Sequence, residues 1–272
     1  SLDGTTWQSS NTFSNLAPGT YTPRVRFVGG CSTTGSPAQI LEPAAVTASA
    51  SNGGPYCEGT VVSLQGSTTS TGTPAYSWTG SNGYTSAAQN PTLPAVPGNH
   101  TYQLTVTING CQSNPVSTSV TVHAIPVANA ANTGPYCSGT AIQLNGSTTS
   151  TGTVTYAWSG PNGYVSTVQN PANATEAGNY SLIITENGCQ SAPAATAVVI
   201  NPIPLAQTSY TAPFCPGTVL QLNGSTPTSG TATYSWTGPN GYTSSVQNPA
   251  DGTDAGTYSL TVSIAGCSSL PS

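Results

Sequence analysis

An internal repeat of about 79 residues constrains this chain more than any other sequence feature. The copies start at Cys57, Cys137 and Cys215, at spacings of 80 and then 78 residues, and a tryptophan follows 21 residues after each of these cysteines. Each copy continues into a segment that starts with glycine, carries a tyrosine two or four residues later and ends in Gly-Cys, as in GNYSLIITENGC and GNHTYQLTVTINGC. A strict period of this length predicts a tandem array of one small folding unit.

The local pattern of each unit is that of β-structure. Alternating runs such as VSL, TYAW and YSLIIT predict strands, and the SNG, PNG, NGS and NP segments between them predict turns. Seven short strands with one tryptophan on the third predict a two-sheet sandwich, so the expected fold is all-β. In the second unit we expect strands A near 125–132, B at 140–145, C at 154–159, C′ at 164–168, E near 169–174, F at 179–186 and G at 195–201.

Both ends of the chain are expected to fall inside units of a longer polypeptide. LAPGTYTPRVRFVGGC, with Tyr21 and Cys31, fits only the back half of a unit, whereas Cys267 is followed by SSLPS and no strand. The predicted domains are a truncated repeat at 1–43, repeats at 44–125 and 126–203, and a repeat lacking its last strand at 204–272. Such a repeat would leave strand F with an open edge, which a neighbouring chain could fill.

Two stretches resemble known bacterial repeats. YSWTGPNGYTSSVQNP with DAGTYSLTVSIAGC resembles the PKD-like and immunoglobulin-like repeats of giant Bacteroidota surface and secreted proteins. SLDGTTWQSSNTFSNLAPGTYTPRVRFVGGC resembles, over half a unit, the repeat of gliding-motility adhesins from the same bacteria. The resemblance covers nearly the whole chain and implies tandem immunoglobulin/PKD-like sandwiches in a rod-like array, export by the type IX system, and work as a stalk or adhesive array.

The scarcity of charge excludes several functions. Charged residues are 3% of the chain, lysine is absent, and the basic side chains are those of Arg24 and Arg26. Nucleic-acid binding needs clustered Lys and Arg, as does a polybasic membrane patch, so neither is expected. The sequence contains no apolar run of about 18 residues, so no membrane insertion is expected in this segment.

Seven cysteines recur once at each end of the units, which predicts structural disulfides and an oxidising, extracellular setting. Their spacing does not fit zinc, because no pair is two to four residues apart and only His100 and His123 could assist. No histidine or aspartate recurs beside them, so a thiol nucleophile is not expected either. The cysteines are Cys31, Cys57, Cys111, Cys137, Cys189, Cys215 and Cys267.

Two disulfide schemes stay open. Pairing within units would give 57–111, 137–189 and 215–267, but if strands B and F run parallel these positions lie at opposite poles, on the order of 30 Å apart. A disulfide needs Cα atoms within about 7 Å. The favoured scheme therefore crosses units, as 57–189 and 137–267, with Cys31, Cys111 and Cys215 reaching beyond the chain. Without strand C′, strands B and F would run in opposite directions, the two cysteines of one unit would lie at the same pole, and pairing within units would be favoured.

The recurring aromatic residues divide into core and surface candidates. Trp78, Trp158 and Trp236 are predicted to fill the core on strand C, with sugar stacking as the alternative. The tyrosines that lead into strand F are predicted tyrosine corners at the E–F turn; Tyr180 and Tyr258 come two residues after a glycine, and Tyr102 comes four residues after Gly98. The tyrosines that follow the SNG and PNG turns are expected to be exposed and are candidate surface contacts. The corner set is Tyr102, Tyr180 and Tyr258, and the turn set is Tyr84, Tyr164 and Tyr242.

Catalytic and metal-binding sets are not evident. No carboxylate pair recurs as glycoside hydrolysis requires, Asp251 with Asp254 is too little for calcium, and no G-x-S-x-G motif occurs. We therefore expect no enzyme, no metal and no cofactor.

The sequence predicts a non-enzymatic structural segment of a secreted, repetitive cell-surface adhesin or extracellular fibre, acting as a stiff disulfide-bonded stalk or polymer subunit. Expected partners are copies of itself, further repeats of the same chain, and surface glycans. Two alternatives stay open: a glycan-binding array that uses the turn tyrosines, and a spacer of a multidomain secreted hydrolase.

Overall fold

The computed structural model describes residues 1–211 and 218–272. It divides into two units, Ser1–Val122 and His123–Ser272, each described by itself below. Over the described residues the regular structure consists of β-strands and three short 3-10 turns. None of the helical segments in these ranges has the length and apolar character needed to cross a membrane.

The N-terminal segment forms two small ribbons. Strand β1 pairs with β4 and β2 pairs with β3, both antiparallel. Their side chains are mostly exposed, including those of Val25 and Phe27 at 57% and 59%. None of the buried clusters in the described chain includes a residue from 1–43. The strands are β1 (Gly19–Tyr21), β2 (Arg24–Arg26), β3 (Ser32–Thr34) and β4 (Ala38–Ile40).

Repeat 1 forms two sheets, in which the pairs β10–β7, β7–β5, β11–β13, β11–β8 and β8–β9 are antiparallel. One has the order β10-β7-β5 and the other the order β6-β13-β11-β8-β9, with β12 paired to β11. The strands are β5 (Ser49–Asn52), β6 (Tyr56–Cys57), β7 (Val61–Ser67), β8 (Ala75–Gly80), β9 (Tyr84–Ser86), β10 (Thr92–Pro94), β11 (Gly98–Ile108), β12 (Cys111–Gln112) and β13 (Val116–His123), and a 3-10 turn spans Ser81–Gly83. In sandwich terms β5, β7 and β10 are strands A, B and E, whereas β8, β9, β11 and β13 are C, C′, F and G.

Repeat 2 has the same layout. Its strands are β14 (Ala128–Asn132), β15 (Tyr136–Cys137), β16 (Leu144–Thr148), β17 (Val154–Ser159), β18 (Val165–Ser166), β19 (Gly178–Glu186), β20 (Cys189–Gln190), β21 (Ala194–Val198) and β22 (Ile200–Asn201), with a 3-10 turn at Pro161–Gly163. Strands A, C, C′, F and G lie close to their expected positions. Strand B starts later than expected, at Leu144, and strand E is reduced to the bridge between Ile142 and Ala174.

Repeat 3 has strands A, B, C, C′ and F, and strand E is reduced to the bridge between Leu220 and Gly252. The strands are β23 (Gln207–Tyr210), β24 (Leu222–Ser225), β25 (Ala232–Thr237), β26 (Thr243–Ser244), β27 (Ser259–Ile264) and β28 (Cys267–Ser268), with a 3-10 turn at Pro239–Gly241. The sheet order is β26-β25-β27-β28, and the described residues contain no strand in the place of G. Only Ser272 reaches that place, where it exchanges both main-chain hydrogen bonds with Leu260.

Each repeat buries its own core around one tryptophan. Alternation along the strands places apolar side chains inward, as in β27, where Leu260, Val262 and Ile264 are buried and the residues between them are not. The cluster residues common to the three cores are the strand-C tryptophan, the leucine of strand B and the apolar residues of strand F. The chain is therefore all-β, a tandem series of immunoglobulin-like β-sandwiches. The domain bounds given above stay a prediction.

Candidate functional site

The repeat tryptophans lie at the centre of the three cores. Trp78, Trp158 and Trp236 expose 0%, 2% and 1% of their surface. Each indole Nε1–H donates to the carbonyl oxygen of Gln89, Gln169 or Gln247, at 3.2, 3.1 and 3.2 Å respectively. A side chain buried to this extent cannot form a stacking platform for sugar at the surface. The role of these residues is to pack the core, and their one polar group is satisfied.

A Gln-Asn-Pro segment clamps strand B over each tryptophan. In repeat 2 the Gln169 side chain donates to the carbonyl of Gly146 at 2.9 Å, and the Asn170 Oδ1 accepts the Gly146 N–H at 3.0 Å. A Cβ on Gly146 would lie 2.8 Å from the Gln169 carbonyl oxygen and 3.3 Å from the Trp158 ring. The position therefore requires glycine for space. The same bonds recur at Gly66 and Gly224.

This clamp was not among the predicted features. The NP dipeptides predict turns, but Gln-Asn-Pro recurs in all three units at a fixed distance from the tryptophan. That fixed distance was the signal available, because a plain turn does not require glutamine.

The Gly-x-Tyr tyrosines have tyrosine-corner geometry. The hydroxyl of Tyr180 donates to the carbonyl of Glu176 at 2.9 Å, and that of Tyr258 to the carbonyl of Asp254 at 3.0 Å. Tyr21 makes the equivalent bond to Ala17 at 2.7 Å. These bonds fix the chain where it enters strand F.

The turn tyrosines are half-buried, whereas we expected them to be exposed. Each ring packs edge-to-face on the corner tyrosine of its own repeat, and this contact covers one side of the ring. The centroid distances are 5.4 Å for Tyr84–Tyr102, 5.3 Å for Tyr164–Tyr180 and 5.2 Å for Tyr242–Tyr258. Packing on the hairpin explains their recurrence, and their role as surface contacts stays a prediction.

Two of these turn tyrosines differ in their hydroxyl partner. Tyr164 donates to the amide oxygen of Asn173 at 2.8 Å, whereas Tyr242 donates to the carboxylate of Asp251. Burial raises the pKa of both phenols. At Tyr242 the Asp251 carboxylate adds to the effect of burial, because it accepts a hydrogen bond from the protonated phenol and repels the phenolate, and the pKa is raised to about 12.

A disulfide joins repeats 2 and 3 within the second unit. Cys137 and Cys267 are bonded, with Cα atoms 5.6 Å apart and 130 positions between them in sequence. Cys137 lies at the A–B pole of repeat 2, and Cys267 lies just after the F–G turn of repeat 3, where it is buried to 1% exposure. Strand C′ is present in both repeats, which is the condition under which pairing across repeats was expected.

Main-chain pairing positions both sides of this disulfide. Strand β15 runs parallel to β22, with Cys137 opposite Asn201, and the Asn201 side chain donates to the Ala265 carbonyl at 3.3 Å. Ala265 and Gly266 form a tight hairpin turn with φ of 49° and 81°. The junction therefore combines one covalent bond with hydrogen bonds from both repeats.

The within-unit scheme is wrong for all three of its bonds. Cys137 is bonded to Cys267, which excludes 137–189 and 215–267, and Cys111 carries a free thiol, which excludes 57–111. Cys31 also carries a free thiol. Cys57 and Cys189 are also disulfide-bonded, and their pairing as 57–189 stays a prediction. Cys215 lies outside the described residues.

The titratable side chains are engaged locally. His100 bonds the Val96 carbonyl at 2.9 Å, Asp3 accepts main-chain N–H groups of its own turn, and Glu186 accepts the Gly152 N–H at 3.0 Å. Those bonds to Asp3 hold the pKa of its carboxyl well below the usual range. Within 1–211 and 218–272, no three His, Cys, Asp or Glu side chains are grouped so that they could hold a metal ion.

Comparisons with known proteins give structural similarity alone. No family model and no curated protein matches the chain. Among solved structures it is similar to the Sidekick-1 immunoglobulin domains 1–5, with 13% identity and a TM-score of 0.31, covering 94% of this chain and 65% of that one. It is also similar to a marsupial T cell receptor, with 14% identity and a TM-score of 0.35, covering 80% of this chain and 97% of that one. The chain thus spans less than two thirds of the Sidekick-1 chain.

Proposed function

We propose that this chain is a non-enzymatic structural segment of a secreted, repetitive surface adhesin or extracellular fibre, in which disulfides clamp one repeat to the next. The observation that carries the proposal is the Cys137–Cys267 bond, which joins two sandwiches instead of closing one. Disulfides are typical of oxidising compartments, so an extracellular location forms part of the proposal.

The bond changes the path that tension takes through the chain. A pull that enters before Cys137 and leaves after Cys267 passes through the sulfur atoms, so the segment between them carries little of the load. That segment holds all the buried core residues of repeats 2 and 3. Both cores can then stay folded while the chain is under tension, as a stalk or fibre subunit requires.

The same bond restricts the unfolded chain. For a loop closed over 130 positions, the chain-entropy model gives about 5 kcal/mol of stabilisation. This contribution does not depend on charge, which suits a protein in which 3% of the residues are charged. Salt should therefore change its stability little.

Single-molecule force spectroscopy tests the proposal on the intact oxidised chain. Handles attached at Ala124, through a non-natural side chain, and at Ser272 pull across the junction. The double variant Cys137→Ala, Cys267→Ala should lengthen the fully unfolded tether by about 440 Å, because 130 positions are released at about 3.4 Å each. Events that unfold the two cores should also appear at forces where the parent chain shows none.

A matched control keeps the bond and removes the free thiols. The variant Cys31→Ala, Cys111→Ala should behave like the parent chain, because neither cysteine is bonded. Equal tether lengths for the parent and the Cys137→Ala, Cys267→Ala chain would show that tension does not pass through this disulfide, and would overturn the proposal.

A further inference from the structure

Repeat 1 has a pocket beside its two recurring tyrosines. The pocket has a volume of about 360 Å³ and lies between the Ser81–Gly83 turn, the segment that carries strand β10 and the start of strand β11. Pockets that hold small ligands begin at about 300 Å³, so this one is large enough for a small molecule. The residues that define it are Asn82, Tyr84, Leu93, Val96, His100 and Tyr102.

Tyr102 is buried, yet its hydroxyl has no partner among the described residues. Tyr102 is 5% exposed and contacts Tyr84 through its ring. Every fully buried side-chain nitrogen or oxygen atom in residues 1–211 and 218–272 has a hydrogen-bond partner. The Tyr102 oxygen is therefore not sealed in the core, and the pocket that Tyr102 lines is the open space beside it. An unpaired phenol can donate one hydrogen bond and accept another from a bound molecule.

The equivalent tyrosines show what this hydroxyl does in the other repeats. Tyr180 and Tyr258 donate to the main-chain carbonyls four residues earlier, at 2.9 and 3.0 Å. In repeat 1 the segment from the Asn-Pro dipeptide to the tyrosine is two residues longer. There His100 makes the bond instead, from Nε2 to the Val96 carbonyl at 2.9 Å. The imidazole thus fixes the connection into strand F and leaves the Tyr102 hydroxyl free.

The turn tyrosine of repeat 1 also lacks the partner that it has in the other repeats. In repeats 2 and 3 this tyrosine donates to an amide or carboxylate of the segment after Asn-Pro, whereas that segment in repeat 1 is Thr-Leu-Pro. Within the part of the chain that the structure describes, the Tyr84 hydroxyl bonds no other residue. The Tyr84 and Tyr102 rings are in edge-to-face contact with centroids 5.4 Å apart. The pocket therefore has two neighbouring phenols whose hydroxyls are available to a ligand.

The rest of the lining is uncharged. Leu93, Pro94 and Val96 supply aliphatic surface, and Asn82 supplies an amide that can donate and accept. No Asp, Glu, Lys or Arg of the described chain lines the pocket, so a charged ligand would lose water without gaining an opposite charge. The ligand that suits this lining is neutral, carries several hydroxyls and has an apolar face. A pyranose sugar has all three properties, because C–H groups cover one face of its ring and hydroxyls surround its edge.

We propose that this pocket binds a neutral saccharide, with the hydroxyls of Tyr84 and Tyr102 bonded to hydroxyls of one sugar ring. The aliphatic surface of Leu93 and Val96 covers the C–H face of that ring, and the Asn82 amide bonds a further hydroxyl. The two phenols fix the position of the ring, since each can both donate and accept.

Nuclear magnetic resonance on the intact oxidised chain tests this with simple sugars as probes. The methyl glycosides of glucose, galactose and mannose are titrated separately into the millimolar range. At least one should bind saturably and shift the amide signals of residues 81–84 and 100–102. The matching uronate, which adds a carboxylate to the same ring, should bind more weakly because no cationic side chain lines the pocket.

Phenylalanine substitutions separate sugar binding from folding. Tyr102→Phe removes a hydroxyl that has no protein partner, so it should weaken sugar binding about fivefold to tenfold and leave the denaturant midpoint unchanged. Tyr180→Phe is the matched control in repeat 2. It removes a hydroxyl that donates to the Glu176 carbonyl at 2.9 Å, so it should lower the midpoint and leave sugar binding unchanged.

Several results would overturn the proposal. They are a lack of saturable binding by all three glycosides, equal binding by the parent and Tyr102→Phe chains, and tighter binding of the uronate than of the neutral sugar. The pocket lies within repeat 1, whereas the Cys137–Cys267 bond joins repeats 2 and 3, so the test does not depend on the mechanical role proposed above. Sugar binding with an unchanged tether length would keep this site and remove the stalk function, and the opposite pair of results would do the reverse.

Discussion

Repeats 2 and 3 share a tryptophan clamp but differ on the side where strand G lies. Trp158 and Trp236 are equally buried and bond equivalent glutamine carbonyls. In repeat 2, Asn132 at the end of strand A bonds strand G, whereas its counterpart in repeat 3, Tyr210, is 63% exposed.

This difference distinguishes the packing around the tryptophan from the packing on the side where strand G lies. The clamp is complete within strands B, C and F and the Gln-Asn-Pro segment, so it forms without strand G. The far side of the sandwich, around the tyrosine corner and strand A, is completed only by strand G.

Substitution of the clamp glycine should give the largest effect and the same effect in both repeats. Gly146→Ala and Gly224→Ala each place a Cβ 2.8 Å from a main-chain oxygen, so each should cost about 2–3 kcal/mol in the free energy of unfolding. Denaturant titration of the oxidised chain measures this. Gly53→Ala is the control, since its Cβ would meet only the Tyr56 hydroxyl at 3.6 Å. Unequal costs in the two repeats would mean that the clamp depends on strand G.

Removal of the strand-A amide should give a smaller effect that depends on the repeat. Asn132→Ala loses bonds of 2.8 Å to Thr196 Oγ1 and 2.9 Å to the Ala197 carbonyl, so about 1–2 kcal/mol is expected. Tyr210→Asn in repeat 3 should change stability by less than about 0.5 kcal/mol, because no described strand G accepts the new amide. Denaturant titration again applies, and a large gain from Tyr210→Asn would contradict the account.

Exchange of the residues that accept hydrogen bonds from the turn-tyrosine hydroxyls should give the smallest effect, a shift in tyrosine pKa that is seen in alkaline solution. Asp251→Asn should lower the pKa of Tyr242 from about 12 towards its ordinary value of 10.0, and Asn173→Asp should raise that of Tyr164. Titration of the tyrosinate ultraviolet absorbance measures both shifts. If neither substitution moves its tyrosine, the carboxylate is not the cause of the difference.

The raised pKa of Tyr242 also makes the stability of the fold depend on pH. The folded state holds the Tyr242 proton more tightly than the unfolded chain, so this contribution is fully present below pH 10 and is lost as the pH rises from about 10 to about 12. Asp251→Asn should make this loss of stability smaller.

The sequence predicted the features that repeat as single residues. The tryptophan, the Gly-x-Tyr tyrosine and the strand-C run each recur at a fixed place, and a strand-and-turn pattern is sufficient to assign them. The turn tyrosines were harder, because their burial depends on the corner ring that the fold brings alongside Tyr84, Tyr164 and Tyr242, and no local pattern contains that ring.

Other features depended on contacts distant in sequence. Strand E in repeats 2 and 3 is a single bridge, which alternation cannot locate. The cysteine pattern left two disulfide schemes open. The spacing of the cysteines gives the length of the repeat, but it does not show which poles of neighbouring repeats lie together.

Peptide mapping without reduction shows whether the disulfide joins repeats 2 and 3. Digestion of the oxidised chain with pepsin at acid pH, where disulfides do not exchange, yields linked peptides for mass spectrometry. We expect a species that joins the Cys137 peptide to the Cys267 peptide and separates on reduction. A species that joins the Cys137 peptide to the Cys189 peptide would contradict this expectation, because each sandwich would then be closed on itself.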